Sequence, residues 1–395
     1  MSRNQISAIF DVPDIKNPIK LFDNEKTKIL SLIRTLEVDG ERVSEPSEYF
    51  TFDQIGLHTV SILLNSELES MSNLFLDCYY LTDLDLSNLN TSKVTSMSEM
   101  FKRCTSLTSI DFGKIDTSNV IDMEKMFLGC VNLLSLDLSN FNTSKVIDMN
   151  NMFCSCAKLT DLNISKLKTG NVTNINSMFY GCEKLESLDL SNFDTRNIED
   201  MHGLFAHCKK LSFLYITNFN TKKVKYMQYM FDSCNSLVFL DVSSFHTDNV
   251  EDMRFMFFEC FSLSTLDLSG FNITNVKNFR NMFNGCSALV MLDLSNFGEN
   301  SSTDVEYMFS GCSSLIQVDL GSFNSKNINN ASHMFDGCEK LANVDLSKFD
   351  MTKADNYEGM FNELPEEGSI IYNETFNEEV VKLVPGGWEK INIKK

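Results

Sequence analysis

Basic residues are scarce in this sequence. Its 395 residues include 34 Lys and Arg against 54 Asp and Glu, which gives a net charge of −20. A surface of that sign repels the phosphates of a nucleic-acid duplex and the headgroups of an anionic membrane. We therefore expect no nucleic acid among the partners of this chain.

Long apolar runs are also missing. No stretch reaches the roughly 18 apolar residues that a membrane-spanning helix needs. The opening MSRNQISAIFDVPDIKNP lacks the apolar core of a secretory signal. We expect a soluble chain without membrane insertion, although a signal or anchor removed from its start would leave no trace.

The residue patterns of common catalytic and cofactor sites are absent as well. There is no GxxxxGK(S/T) phosphate loop and no dinucleotide fingerprint. Zinc and iron–sulfur sites need closely spaced ligands, and Cys154 with Cys156 is the one close Cys pair. The histidines occupy different positions of the repeat described next, so they form no Ser-His-Asp or metal set: His58, His202, His207, His246 and His333. We predict no enzyme activity, no cofactor and no metal.

What the sequence has in abundance is one repeat. A Phe recurs every 26 residues, twelve times without insertion, at Phe75, Phe101, Phe127, Phe153, Phe179, Phe205, Phe231, Phe257, Phe283, Phe309, Phe335 and Phe361. A Cys follows three residues later in eleven repeats, from Cys78 to Cys338, and Leu364 takes its place in the last. A fixed period of this length is the signature of a solenoid.

Each repeat combines a strand signal with a turn signal. The alternation around Leu136 and Leu138 in LLSLDLSNF is typical of a half-buried strand. A polar turn such as NTSKV follows, and Met, Met-Phe and Cys then come at helical or turn spacing, as at Met123, Phe127 and Cys130. We predict an α/β repeat solenoid, a right-handed stack of about twelve coils of strand, turn and short helical segment with one parallel sheet face.

The repeated Phe, Met and Cys positions are predicted to be rows of the core. Cys is a small apolar residue that suits the corner of a coil. Eleven thiols in one row cannot pair off completely, which favours reduced thiols and a cytosolic or low-oxygen compartment.

The ends of an open stack need covering because they expose strand edges. We predict an N-terminal β cap at residues 1–67, the repeat array at 68–361 and a C-terminal cap at 362–395. The Asp39-Gly40 pair is expected to form a two-residue hairpin turn. The stretch before Asn24 is expected to be loosely ordered.

The unit LxxLDLSNFNTSKVxDMxxMFxGCxxL, read from Leu133, Met149 and Phe153 and their equivalents, resembles the BspA-like leucine-rich repeat over about residues 68–361. That family is known mainly as surface proteins of bacteria, including mycoplasma lipoproteins, and of mucosal protozoa. The resemblance implies a leucine-rich-repeat-like solenoid that acts as an adhesin or antigen and binds host, matrix or microbial proteins. It implies a cell-surface or secreted location, whereas the Cys row and the missing signal favour the cytoplasm and an intracellular scaffold.

An acidic row lies between the inward positions of the strand, at Asp85, Asp111, Asp137, Asp189, Asp241, Asp267, Asp293, Asp319 and Asp345. Like charges stacked at strand spacing repel, so the row needs a physical reason. One alternative is that each carboxylate accepts hydrogen bonds from neighbouring backbone or hydroxyl groups. The other is a stripe that binds Ca²⁺ or a basic partner, since carboxylates are suitable hard ligands.

Aromatic residues interrupt this acidic face. Phe213 and Tyr215 flank Leu214 on the outward side of one strand, Phe239 holds the place of Phe213 in the next repeat, and Met291 lies farther along. A second group is predicted on the helical side of similar coils: Tyr229, Phe255 and Phe258. Exposed apolar residues are normal singly, but aromatic residues together on a polar face are typical of an interface core. We predict that these residues bind a protein partner.

Overall fold

A computed structural model describes residues 4–300, 302–320, 322–325 and 328–393 of this protein. The chain divides into two compact units, an N-terminal unit of Met1–Glu186 and a C-terminal unit of Ser187–Lys395. Each unit contains short strands that recur at the period of the repeat and pair in parallel.

The N-terminal unit combines longer antiparallel strands with the first coils. It contains one turn of 3₁₀-helix at Ile29–Leu32. Its strands are β1 Gln5–Val12, β2 Ile19–Lys20, β3 Ile33–Val38, β4 Glu41–Arg42, β5 Tyr49–Phe50, β6 Gly56–Leu64, β7 Leu81–Asp85, β8 Ser109–Asp111, β9 Ser135–Asp137 and β10 Asp161–Asn163.

The first strand is central to the N-terminal sheet. The sheet order is β4-β3-β6-β1-β7-β8, with β1 antiparallel to both β6 and β7 and β7 parallel to β8. The expectation of a loosely ordered stretch before Asn24 was therefore wrong, because Ile6, Ala8 and Phe10 alternate into the core and β1 is hydrogen-bonded along both edges. The expected hairpin is present: Asp39 and Gly40 both have positive φ, 52° and 82°, and join β3 to β4.

The C-terminal unit carries most of the coils and ends in a strand–helix–strand motif. Its elements are β11 Ser187–Asp189, β12 Phe213–Tyr215, β13 Phe239–Leu240, β14 Thr265–Leu266, β15 Met291–Asp293, β16 Glu299–Asn300, β17 Gln317–Asp319, β18 Asn324–Ser325, β19 Asn343–Asp345, β20 Glu367–Asn373, α1 Glu378–Leu383 and β21 Gly387–Ile393. Parallel pairing joins β11 to β12, β13 to β14, β16 to β18, and the five strands β15-β17-β19-β20-β21. The Asn377 side chain caps α1 by accepting a hydrogen bond from the N–H of Val380.

The coils are built from strands and turns, so the predicted α/β class was imprecise. The segment around each Met-Phe pair forms turns rather than a short helix, and α1 is the one α-helix of the described residues. Two residues of each coil adopt left-handed backbone, as at Glu99 with φ 55° and Arg103 with φ 61° on either side of Phe101. A left-handed residue every fourth position interrupts a right-handed helix. Each unit is therefore a β-solenoid.

Backbone hydrogen bonds between successive coils replace those of a helix. The N–H groups of Glu99, Phe101 and Arg103 donate to the carbonyls of Glu124, Met126 and Leu128 at 2.8, 2.8 and 2.7 Å. Every second N–H group of this segment thus donates a hydrogen bond to a carbonyl of the next coil, as in a parallel sheet. This second ladder satisfies the backbone on the side opposite the strands.

The predicted core rows are buried in both units. In the N-terminal unit Phe101 and Phe127 stack with ring centroids 5.4 Å apart, and in the C-terminal unit Phe231 and Phe257 stack at 5.5 Å. The eleven Cys of the row are buried and free, while Cys154 is partly exposed. Nine of these thiols donate to a main-chain carbonyl of the preceding coil, as Cys104 Sγ does to the Phe75 oxygen at 3.1 Å. The prediction that the Cys row is part of the core is confirmed.

Candidate recognition surface

The short strands present two outward side chains on either side of one inward residue. In the C-terminal unit the parallel register places Ser187 beside Phe213 and Asp189 beside Tyr215. The same register aligns Met291 with Gln317 and Asp293 with Asp319. Equivalent positions of the strands therefore form two columns. The first column is Phe213, Phe239, Thr265, Met291, Gln317 and Asn343, and the second is Tyr215, Asp241, Asp267, Asp293, Asp319 and Asp345.

The predicted aromatic residues lie exposed on this sheet face. Phe213 is 62% exposed, Tyr215 55%, Phe239 66% and Met291 67%. Phe239 and Met291 line one shallow cavity of about 300 Å³ together with Thr265 and Asp267. Among the described residues no ring contact links Phe213 or Tyr215 to Phe239. The structure thus brings these side chains onto one face without packing them into a single cluster.

Three adjoining depressions continue along the same face. The cavity beside Phe239 shares Met291 and Asp293 with a second one of about 350 Å³. The second shares Gln317 and Asp319 with a third of about 260 Å³, which extends to Ser369 and Ile371. We call this continuous depression the sheet-face groove; its lining is Phe239, Thr265, Leu266, Asp267, Met291, Leu292, Asp293, Ser295, Gln317, Val318, Asp319, Asn343, Val344, Asp345, Ser369 and Ile371.

The acidic row has a structural reason inside each coil. The Oδ1 of Asp137 accepts the N–H of Ser139 at 2.8 Å, and the Oδ1 of Asp293 accepts the N–H of Ser295 at 2.8 Å. The donor lies two residues on, which is the geometry of an Asx turn. The same bond is made by Asp85, Asp111, Asp189, Asp241, Asp267 and Asp345. These eight carboxylates thus turn the chain at the ends of their own strands.

These hydrogen bonds favour the charged carboxylate. Bonds from the side chain and backbone of Ser191 lower the pKa of Asp189, and those of Ser295 lower the pKa of Asp293. The backbone N–H and then the side chain of Ser269 lower the pKa of Asp267 in the same way. Asp267 and Asp293, which line the groove, are therefore ionised at neutral pH.

The second predicted group forms a ring cluster on the turn side of the C-terminal unit. Tyr229 and Phe255 stack at 4.8 Å with 10° between their planes, and Phe258 meets Phe255 edge-on at 5.3 Å. All three side chains are partly buried. Tyr229 and Phe255 hold equivalent places in successive coils, and both have a left-handed backbone with φ near 60°. Their rings therefore point the same way and stack. His202, which was not assigned to the group, extends it at 5.9 Å from Tyr229.

Sequence reasoning missed three exposed apolar residues beside the groove. Val238 is 56% exposed, Val290 40% and Ile316 47%. They precede the outward residues Phe239, Met291 and Gln317. The repeat contained a signal for these residues, since the same place holds Ser or Thr in five other coils: Thr82, Thr108, Thr160, Ser212 and Ser264.

Neither a metal cluster nor a membrane-spanning helix is found in the part of the chain that the structure describes. No group of three or more His, Cys, Asp or Glu among those residues is placed to hold a metal ion. No helix there is long and apolar enough to cross a bilayer. His58 instead lies in the N-terminal sheet, where its Nδ1 is 2.6 Å from Asp39 Oδ2.

Similarity to solved structures is partial. The chain resembles a structure described as the TLR13–ssRNA13 complex, with 18% identity over 78% of this chain and 47% of that one, at a TM-score of 0.28. It resembles the functional domain of InlJ from Listeria monocytogenes, described as including a cysteine ladder, with 14% identity over 78% and 72% of the two chains and a TM-score of 0.24. It also resembles the Toll–Spatzle complex of Drosophila, with 14% identity over 76% and 51% and a TM-score of 0.22. The chain spans about half the length of the TLR13 chain that it matches.

A search of curated proteins finds no match to this sequence. One family profile matches most of it, in four overlapping segments at residues 51–159, 108–189, 182–290 and 261–371. These segments cover all the repeats whose columns and core rows are described above. The chain belongs to the family described as Mycoplasma protein of unknown function, DUF285.

Proposed function

We propose that this protein is a non-enzymatic recognition module that binds a protein partner on the sheet face of its C-terminal unit. The observation that carries the proposal is the exposure of Phe213, Tyr215, Phe239 and Met291 on a face whose other outward residues are polar or acidic. Large aromatic side chains dominate the energetics of interfaces when they are buried by a partner. The exposed Val238, Val290 and Ile316 enlarge the same apolar surface. The cluster of Tyr229, Phe255 and Phe258 is a second contact surface in this proposal.

The proposal extends to the organisation of the chain. Residues 1–67 and 362–395 act as caps that protect the ends of the array at 68–361. The repeat is of the BspA-like leucine-rich type, and the protein is a microbial surface adhesin or antigen whose ligand is a host or matrix protein. The sequence resemblance over the repeats supports this assignment, and membership of a Mycoplasma family supports its microbial part.

An intracellular scaffold is the second candidate, and the thiol row favours it. Eleven buried thiols that form no disulfide suit a reducing compartment. Protease treatment of intact cells separates the two candidates: loss of the protein supports surface display, and protection of the protein supports the scaffold.

The binding face is tested by replacing Phe213, Tyr215 and Phe239 together with Ser. We expect the wild type to capture a protein from host-matrix and cell-surface extracts and the triple variant to lose that capture. Because the three side chains are exposed, their replacement should leave the thermal melt nearly unchanged.

A matched control is available in the N-terminal unit, where Ile121, Leu134 and Ile147 are 47%, 51% and 52% exposed. Replacing these three with Ser removes similar exposed apolar side chains from elsewhere and should leave capture intact. Capture that survives in the Phe213/Tyr215/Phe239 variant would remove the sheet face from the proposal.

A further inference from the structure

We infer that the segment bound by the sheet-face groove is an extended stretch of protein that carries Arg or Lys side chains next to apolar ones. The inference rests on the proposed function and adds the chemistry of the partner. It follows from the shape of the groove, the charge of one side, and the apolar Phe239 and Met291 at one end of the other side.

The shape of the groove fits an elongated ligand. Its three depressions, of about 300, 350 and 260 Å³, follow one another across successive strands from β13 to β20 and share lining residues where they meet. Each depression is open to solvent along the sheet. A small compact molecule would contact one depression, whereas an extended chain contacts all three.

One side of the groove carries a line of negative charge. Asp267, Asp293 and Asp319 are exposed there, one on each successive coil. Adjacent strands are about 4.8 Å apart, so these like charges lie close to one another. No Lys or Arg is among the described residues that line the groove. A cationic segment would relieve this repulsion and lower the free energy of the complex.

The other side of the groove favours Arg and Lys of a protein over simple ions. Phe239 and Met291 face the carboxylates across the depression. A guanidinium group stacks on an aromatic ring and also forks onto a carboxylate, and the apolar stems of Arg and Lys cover apolar surface. A hydrated metal ion would bind the carboxylates but would make no favourable contact with Phe239. The two sides together therefore match a basic and apolar chain.

The test uses two synthetic twelve-residue peptides, one alternating Arg and Leu and one alternating Glu and Leu, each titrated into the full-length protein. We expect the Arg–Leu peptide to bind and the Glu–Leu peptide not to bind. Raising the salt concentration from 50 to 300 mM should weaken binding at least tenfold, because the attraction is between exposed charges. Replacing Asp267, Asp293 and Asp319 together with Asn should also weaken it at least tenfold.

Asn is chosen because it preserves the turn that each Asp makes. Asn163 holds the equivalent place in the N-terminal unit, and its Oδ1 accepts the N–H of Ser165 at 3.4 Å. A control variant replaces Asp85, Asp111 and Asp137 with Asn, which makes the same change in net charge on the other unit. This control should bind the Arg–Leu peptide within twofold of the wild type.

Two results would overturn the inference. Equal weakening of peptide binding in both Asn variants would mean that the net charge of −20 attracts the peptide and that the groove does not bind it specifically. Displacement of the peptide by 1 mM CaCl₂ would mean that the acidic side takes metal ions.

The failure of this inference differs from the failure of the proposed function. An extract protein that is lost with the Phe213/Tyr215/Phe239 variant but kept by the Asp267/Asp293/Asp319 variant refutes the basic segment and leaves the recognition face in place. Capture kept by both variants refutes the proposed function itself.

Discussion

At the scale of single residues, side chains close the turns of each coil. Three successive Asx turns bend one coil of the N-terminal unit: Asp137 accepts from Ser139, Asn142 from Ser144 and Asp148 from Asn150. Buried threonines then join neighbouring coils. The Thr117 hydroxyl donates to the Asn142 carbonyl at 3.1 Å and accepts the Asn142 N–H at 2.7 Å. The same position of the repeat forms a Thr row whose hydroxyls donate to main-chain carbonyls of the next coil: Thr91, Thr117, Thr143, Thr195, Thr221 and Thr247.

Removal of one buried hydroxyl from the Thr row is predicted to lower the free energy of unfolding. Thr143 is fully buried, and its Oγ1 donates to the Lys168 carbonyl at 2.9 Å and accepts the Lys168 N–H at 2.7 Å. Thr143→Val keeps the shape but leaves both backbone groups unpaired, so we expect the free energy of unfolding to fall by about 2–4 kcal/mol. Urea unfolding monitored by circular dichroism measures the change.

Thr160→Val is the matched control for that substitution. Thr160 is exposed, and its hydroxyl makes a single bond to the Leu134 carbonyl at 3.1 Å, which water can replace. We expect a change within about 0.5 kcal/mol. Similar losses of unfolding free energy in Thr143→Val and Thr160→Val would mean that burial of the bridging hydroxyl does not affect stability.

At the scale of elements, left-handed residues decide that the segment after each polar turn is not a helix. The Met and Phe spacing is compatible with a helical face, which is why the sequence predicts a helical segment. The spacing alone does not reveal φ, because most left-handed positions are occupied by residues other than Gly, such as Lys125 at φ 55° and Asn151 at φ 54°. These residues adopt a costly conformation. The inter-coil hydrogen bonds on both sides of them stabilise it.

The left-handed positions predict a stabilising substitution. Ser155 has φ 60°, and the same place in the adjacent repeats is Gly129 at φ 77° and Gly181 at φ 69°. Ser155→Gly relieves the left-handed strain at some cost in unfolded-state entropy, so we expect a gain of about 0.5–1 kcal/mol in the free energy of unfolding. Thermal and urea melts measure the gain.

Ser144→Gly tests whether the gain comes from the conformation. Ser144 is not among the residues with positive φ, so Gly there adds only unfolded-state freedom. We expect a loss of about 0.5–1 kcal/mol. A gain at both positions would contradict the assignment of strain to Ser155.

At the scale of the whole molecule, the buried thiols of the Cys row make the free energy of unfolding depend on pH in the alkaline range. Burial raises the pKa of the ladder thiols at Cys78, Cys104, Cys130, Cys156, Cys234, Cys260, Cys286, Cys312 and Cys338. An unfolded thiol ionises near pH 8.5. The pKa of each thiol is higher in the folded state than in the unfolded state. Its contribution to the free energy of unfolding is therefore complete below about pH 8.5 and is lost as pH rises toward the folded pKa.

We therefore expect the free energy of unfolding to fall between pH 9 and 10 by about 1.4 kcal/mol per buried thiol and pH unit. The Cys104/Cys130/Cys156→Ala variant should show a slope about 4 kcal/mol per pH unit shallower than the wild type. Urea unfolding at pH 7, 8, 9 and 10 measures both slopes. Between pH 7 and 8 the two slopes should nearly agree, and equal slopes above pH 9 would show that the thiols do not drive alkaline unfolding.

The sequence by itself determined the period, the core rows and the outward position of the aromatic residues. A strict 26-residue repeat forces equivalent residues into equivalent environments, so position in the repeat placed Phe101 and Phe127 in the core and Phe213 and Phe239 outside it. Tertiary structure decided what depends on backbone conformation and on contacts between distant segments. It placed β1 inside the N-terminal sheet, held left-handed residues such as Arg103 where a helix was predicted, and joined Phe239, Met291 and Gln317 along one groove. Backbone pairing across many residues creates these features, and no local pattern of side chains encodes it.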